Sequence, residues 1–413
     1  MSHGTRPQVV ANPGADPPAA APAPGYIAAD VPLSPTWTRR LAAVGIGLCM
    51  APLAGEIAGR LYPPDPGAAL LYNAPQGTPP DMFRYDGAGR LVTNPGFEGH
   101  FEWLDHSVSV RFDSRGLRGP EVLPATPRWL AVGDSFVLAR QVEEEDTFMA
   151  ALGPLVGASV LNAGVDGYGT WDYLARYLSM DPVVDAEALL VTVFVGNDPA
   201  QDTAPPERHR VTRPDAMVPL VGHAPTAENE FALFRLQHER ESFLEAFLFR
   251  HSSLFAWWRI FEAQQARGPS DALRHARFRK ELEPFTRAGT SEQTRLARAT
   301  GEALAVIAEA GKRRGDRVMV AVAPPSFALD TATTAATLRT FGLDPAGAEP
   351  LGLQAAVVAE SERLGLPTCD LRPALVAARE DGREPYFRFE GHWNEVGHAT
   401  VATALAACLG RSG

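Results

Sequence analysis

Four short clusters hold the residue types from which a reactive site is built: Gly133-Asp134-Ser135, the loop Asn162–Gly169, Gly196-Asn197-Asp198, and Glu390-Gly391-His392 with His398 close behind. Ser135 follows the apolar run Trp129–Val132 and precedes a helical pattern over Val137–Met149, so it falls at a strand-to-helix switch. In open α/β folds such a switch lies at the carboxyl edge of the sheet, where ligands bind. Taken alone, Asp134-Ser135 equally describes a turn with an N-cap, and its meaning depends on what the rest of the chain brings to it. The glycines at 164, 167 and 169 let backbone N–H groups approach a ligand closely. They lack the Gly-x-Gly-x-x-Gly spacing of a dinucleotide site. Glu390, His392 and His398 match no familiar metal-ligand spacing and no thiolate pair supports them, so neither a metal nor a cofactor is expected.

The elements that must position these clusters alternate along the chain. Apolar strands are predicted over 129–132, 158–162, 188–195, 317–323 and 367–370, with helical stretches between them. That order predicts an α/β fold, a three-layer sandwich with about five parallel strands. Residues 203–287 interrupt it as a helical insertion too long for an ordinary connection, rich in aromatics at Phe243, Phe247, Phe249, Phe255, Trp257 and Trp258. A lid or substrate wall and a simply packed helical hairpin both account for it. Ahead of the sheet, 82–85, 101–103 and 108–112 read as small antiparallel strands, and the loop 113–119 offers arginines to an anionic ligand or to solvent. An amphipathic helix over 400–409 ends the domain, which runs from 128 to 409.

The chain has 413 residues, a formal charge of -11 and a pI near 5.5, which argues against a nucleic-acid surface. Residues 1–38 are rich in proline and alanine and are predicted to be disordered. Residues 39–60 read as a transmembrane or signal-anchor helix, with a cleaved signal or a buried helix as the alternatives, and the apolar part, 41–59, contains one charge, Glu56. That carboxylate is costly in lipid unless it lies at the interface. Arg39 and Arg40 precede the span and only Arg60 closes it, which places the N-terminus on the cytoplasmic side. A single-pass protein of a bacterial inner membrane follows, with its large C-terminal domain facing the periplasm or exterior. Residues 61–127 form a linker and the small β-containing extension. Of the three cysteines, Cys369 and Cys408 suit either one bridge or two buried thiols.

In order and spacing, Gly133-Asp134-Ser135, Asn162–Gly167, Gly196-Asn197-Asp198 and Glu390-Gly391-His392-Trp393 resemble the four blocks of the SGNH/GDSL hydrolase superfamily. The last block looks most like the branch that writes it Asp-x-His-Trp, which includes membrane-anchored and periplasmic proteins that handle polysaccharide O-acetyl groups. The resemblance implies Ser135 as nucleophile, His392 as its base and Glu390, in place of the branch's aspartate, as the acid that orients the imidazole. It assigns the oxyanion hole to the backbone N–H groups of Ser135 and Gly167 and to the Asn197 amide, with Asp134 and Asn162 bracing loops. His398 belongs to the start of the terminal helix. The expected activity is a serine esterase removing a small acyl group, acetyl first, from a carbohydrate or cell-envelope substrate. Two alternatives stand beside it: an O-acyltransferase acting on a polysaccharide with envelope-biosynthesis partners, and a non-catalytic polysaccharide-binding or envelope-assembly protein.

Overall fold

The computed structural model describes residues 35–62, 81–86, 91–102, 106–119, 121, 127–203, 247–248, 251–265, 276, 278–388 and 391–411. Residues 1–34 of the segment 1–38 expected to be disordered, the linker 63–80, most of the 203–287 insertion (Phe243 and Phe249 included), Trp103 and Glu390 lie outside them, while residues 35–38 are helical, contrary to that expectation. The chain forms two compact units, residues 1–53 and 54–413.

Helix α1 (Pro35–Leu61) contains a 23-residue stretch, Arg39–Leu61, that is long and apolar enough to cross a bilayer by length and composition. Its one acidic side chain, Glu56, accepts hydrogen bonds from Ser252 Oγ at 3.0 Å and from the backbone N–H groups of Ser253 at 3.0 Å and Leu254 at 3.1 Å. Arg60 Nε donates to it at 2.9 Å. The carboxylate thus satisfies donors at the N-terminus of a helix far along the chain.

Two hairpins follow, β1 (Phe83–Tyr85) with β2 (Leu91–Thr93) and β3 (Glu98–Glu102) with β4 (Ser107–Arg111), both antiparallel. The main domain then runs β5 (Arg128–Val132), α2 (Ser135–Leu138), α3 (Phe148–Val156), β6 (Ser159–Asn162), α4 (Thr170–Val184), β7 (Ala188–Phe194) and α5 (Asp198–Gln201). From the insertion, α6 (Ser253–Gln265) is described, and α7 (Thr290–Arg314), β8 (Arg317–Ala323), α8 (Thr331–Thr340), α9 (Gly352–Arg363), β9 (Thr368–Asp370), α10 (Arg372–Glu380) and α11 (Glu395–Arg411) complete the fold.

The five strands β5 to β9 form one parallel sheet in the order β6-β5-β7-β8-β9. Both its faces are apolar because successive side chains alternate between two cores. Leu130 and Val132, Leu189 and Val191, Val318 and Val320 pack on one side with Tyr173 and Leu174 of α4, Leu304 of α7 and Val357 of α9. Trp129 and Ala131, Leu190, Met319 and Ala321 pack on the other with Phe148 of α3, Leu375 of α10 and Leu405 of α11. Phe101, Val108 and Val110 of the second hairpin join the first core, so the extension shares the domain's interior. An α/β sandwich with a five-stranded parallel sheet is therefore the fold. The terminal helix begins at Glu395, ahead of the expected residue 400, because the Asn394 side chain caps it by accepting from Gly397 N at 3.0 Å. Cys369 of β9 and Cys408 of α11 are bridged, with Cα atoms 6.0 Å apart.

Candidate active site

Ser135 opens α2 directly after β5. Asp134, its N-cap, accepts from Phe136 N at 2.9 Å and so fixes the turn that raises the serine from the sheet edge. Gly133 is required by crowding: a Cβ there would lie 2.2 Å from Val137 Cγ2. A helix of four residues cannot sustain itself, and α2 is held from outside. The Asn162 amide donates to Val137 O at 2.7 Å and its oxygen accepts from Gly164 N at 3.0 Å. Gly164 presses its backbone against α2, where a Cβ would come 2.2 Å from Leu138 N. The Arg118 guanidinium donates to Leu138 O at 2.9 Å, to Ala139 O and to Val142 O at 2.5 Å, satisfying carbonyls that the short helix leaves open. Burial lowers Arg118 to a pKa of about 10, opposed by the charges of Glu144, Glu143 and Glu145, so it remains a cation at neutral pH.

His392 reaches the serine from the loop before α11, with Nε2 2.6 Å from Ser135 Oγ across 257 residues of sequence. Its ring packs on Phe136, centroids 4.6 Å apart, and Phe136 also meets Trp393 edge-on at 4.8 Å. The His392 loop is tied down by its own backbone, Phe387 N donating to His392 O at 2.8 Å. Tyr386 Oη donates to Pro324 O at 2.6 Å, and fully buried Trp393 anchors the loop in the second core.

Strands β6 and β7 flank β5, so the loops that leave their carboxyl ends lie on either side of Ser135 in sheet order. The first contains Gly167 in the left-handed region at φ 73°, exposed, with nothing within 4 Å of an added Cβ. The second contains Asn197, whose Oδ1 is buried and has no hydrogen-bond partner among the described residues. Asp198 behind it accepts from Tyr173 Oη at 2.6 Å and Phe194 N at 2.8 Å. Asp202 accepts from Thr170 N at 2.8 Å and Thr300 Oγ1 at 2.7 Å.

Three carboxyl groups are thus buried beneath the site. Desolvation raises Asp134 to about 7, against the lowering effect of the Phe136 N–H and the nearby His392. It raises Asp202 to about 7, and it raises Asp198 well above the usual range with help from the Asp134 charge. The layer therefore holds less negative charge near neutral pH than three carboxylates would.

His398 sits in the first turn of α11, 1% exposed, and its Nδ1 accepts from Phe148 N at 3.2 Å. Burial first, then the charges of Arg118 and His392, hold its pKa at about 3. The arginines of the loop 113–119 are likewise structural: Arg118 braces α2, and Arg115 pairs with Asp113 and donates to Glu121 O at 2.8 Å. Nothing local in the sequence marked Arg118 for this role, since its partners lie about 20 residues onward in another element. Glu390 lies outside the described residues.

Residues 284–412 match the family described as SGNH hydrolase-like domain, acetyltransferase AlgX. The matched stretch includes His392 and Glu390, while Ser135, Gly167 and Asn197 precede it. Over that stretch the chain is similar to SGNH hydrolase-like proteins. Similar solved structures include a lipolytic protein of the G-D-S-L family from Desulfitobacterium hafniense, 10% identical with a TM-score of 0.36, covering 68% of this chain and 99% of that one. Another is TesA, 12% identical with a TM-score of 0.32, covering 68% and 97%. A variant of Axe2, an acetyl-xylooligosaccharide esterase from Geobacillus Stearmophilus, is 10% identical with a TM-score of 0.35, covering 69% and 95%. No curated protein matches the chain.

Gly164→Ala is expected to destabilise the domain by about 1–3 kcal/mol through overpacking against α2, read as a lowered denaturation midpoint. For His398 the folded pKa is depressed, so its contribution to stability is present above about pH 6.5 and is lost as pH falls toward about 3. Asp134 and Asp202 are raised and slope the other way, losing their contribution as pH rises from about 4 to 7. The difference between wild type and His398→Gln isolates the histidine. Below pH 6.5 the wild type should lose roughly 1.4 kcal/mol per pH unit relative to the variant, measured by denaturant titration.

Proposed function

We propose that this chain is a serine-dependent esterase that removes a small acyl group, acetyl first, from a carbohydrate or cell-envelope substrate. The observation that carries this reading is the 2.6 Å contact between Ser135 Oγ and His392 Nε2 at the carboxyl edge of the sheet. A serine hydroxyl is a weak nucleophile until a base takes its proton during attack. His392 Nε2 accepts that proton as Ser135 Oγ bonds to the acyl carbon, and the carbonyl electron pair moves to oxygen. The backbone N–H groups of Ser135 and Gly167 and the Asn197 amide receive the resulting oxyanion. Collapse breaks the ester C–O bond, and the leaving alcohol takes the proton from His392. Water then gives a proton to His392 and attacks the acyl-enzyme, and the carboxylic acid leaves as Ser135 recovers its hydrogen. Glu390 is assigned the second imidazole nitrogen, which it would orient and whose positive charge it would stabilise.

The family match favours a second acceptor. Its description names an acetyltransferase, and the same acyl-enzyme yields an O-acyltransferase if a polysaccharide hydroxyl replaces water. An envelope partner that supplies acyl groups would accompany that reaction. The location proposed for either is the inner membrane, with a single span over residues 41–59 and the large domain in the periplasm or exterior. The apolar stretch Arg39–Leu61, the Arg39-Arg40 pair before it and the Cys369–Cys408 bridge support this placement.

Ser135→Ala should abolish labelling by a serine-directed fluorophosphonate and turnover of p-nitrophenyl acetate; labelling that persists would move the nucleophile elsewhere. Glu390→Gln should reduce turnover about 10²–10⁴-fold with the fold intact, and a rate near wild type would assign the orienting role to another carboxylate.

A further inference from the structure

We propose that α6 is an interfacial helix whose outer face lies in the headgroup layer of a lipid bilayer, beside the point where α1 leaves it. The proposal rests on the reading of α1 as a membrane span. Helix α6 has two unlike faces. Ala256 and Ile260 are buried, each 1% exposed. Leu254, Trp258 and Phe261 follow one another at the spacing of a single helical stripe, and all three are exposed, at 40%, 53% and 55%. A contiguous apolar stripe turned outward marks an interaction surface.

The start of α6 is locked to the last turns of α1. Gly55 and Gly59, one turn apart, make room for it: an added Cβ would stand 3.0 Å from Leu254 Cδ1 at the first and 3.0 Å from Ser253 Cβ at the second. Between them Glu56 takes the N–H groups of Ser253 and Leu254, and Trp257 Nε1 donates to Tyr62 O at 2.8 Å. On the α1 side Ile57, Leu61 and Tyr62 are exposed as well. The apolar stripe of α6 thereby adjoins the end of the apolar stretch Arg39–Leu61.

Its composition fits the depth. Tryptophan and tyrosine collect where the acyl chains meet water, with arginine reaching to the headgroups. Here Trp258 carries the Arg259 guanidinium 5.7 Å from its ring centroid, and Arg60 stands beside Tyr62 in sequence. At 13 residues α6 is about 20 Å long, too short to cross a bilayer but long enough to lie along it. Continuity with the apolar stretch of α1 selects lipid over a protein partner, because the bilayer that covers one extends over the other. A consequence is that the catalytic domain is oriented on the membrane by two elements, not tethered by one.

The test uses the full chain reconstituted in phosphatidylcholine vesicles, with and without bromine on the acyl chains, and follows quenching of tryptophan emission. Trp258→Phe should remove part of the bromine-quenched emission, with an unchanged melting temperature showing that the domain is folded. Quenching that is the same in wild type and Trp258→Phe, in protein that resists a high-salt wash, would overturn the interfacial helix while leaving the anchor in place. Protein released by that wash, with no tryptophan quenched, would instead overturn the anchor reading itself. A detergent-solubilised dimer that Trp258→Phe dissociates, together with unchanged quenching, would give the face to a second copy and would also overturn the proposal.

Discussion

The position of Ser135 depends on a helix too short to exist alone. Four residues cannot offset the nucleation penalty of a helical turn, and α2 leaves its C-terminal carbonyls without internal partners. Asn162 and Arg118 supply those partners, and Gly164 brings the β6 loop into backbone contact with the helix. Removing any one of these would expose a buried carbonyl or fill a gap that the packing leaves no room to fill. The sheet edge at Ser135 is therefore set by braces behind it, two of them drawn from the extension and from the neighbouring strand.

The same economy governs charge. The sheet edge gathers Asp134, Asp198 and Asp202 in a nearly dry layer, where a free carboxylate would be repelled by its neighbours and deprived of water. Each is held by hydrogen bonds from N–H or hydroxyl donors, and their raised pKa values limit the negative charge close to Ser135. Glu56 shows the opposite solution. A carboxylate in an apolar stretch is satisfied by three donors at the start of α6 and by Arg60, so a sequence feature that looks unfavourable in lipid serves as a joint.

The sequence by itself determined the sheet and the places where chemistry is possible. Runs such as Ala188–Phe194 are apolar at every position but Thr192, as a strand covered on both faces requires, and each run stops at a small polar cluster. Ser135, Gly167 and Asn197 could be placed at strand ends from that pattern alone. The apolar length of Arg39–Leu61 was equally open to reading, because it depends on composition and not on partners.

Only the tertiary structure decided what touches what. The Ser135–His392 contact spans 257 residues, the Glu56–Ser253 contact 197, and the Arg118 contacts about 20 to 24. No local period encodes any of them. Arg118 read as a loop cation turned out to be buried, and His398 became a core histidine held neutral by the Phe148 N–H and by burial. The physical reason is common to all of these. Side-chain periodicity reports which face of an element is apolar, while hydrogen-bond partners and desolvation depend on how the elements pack, and packing is a property of the whole chain.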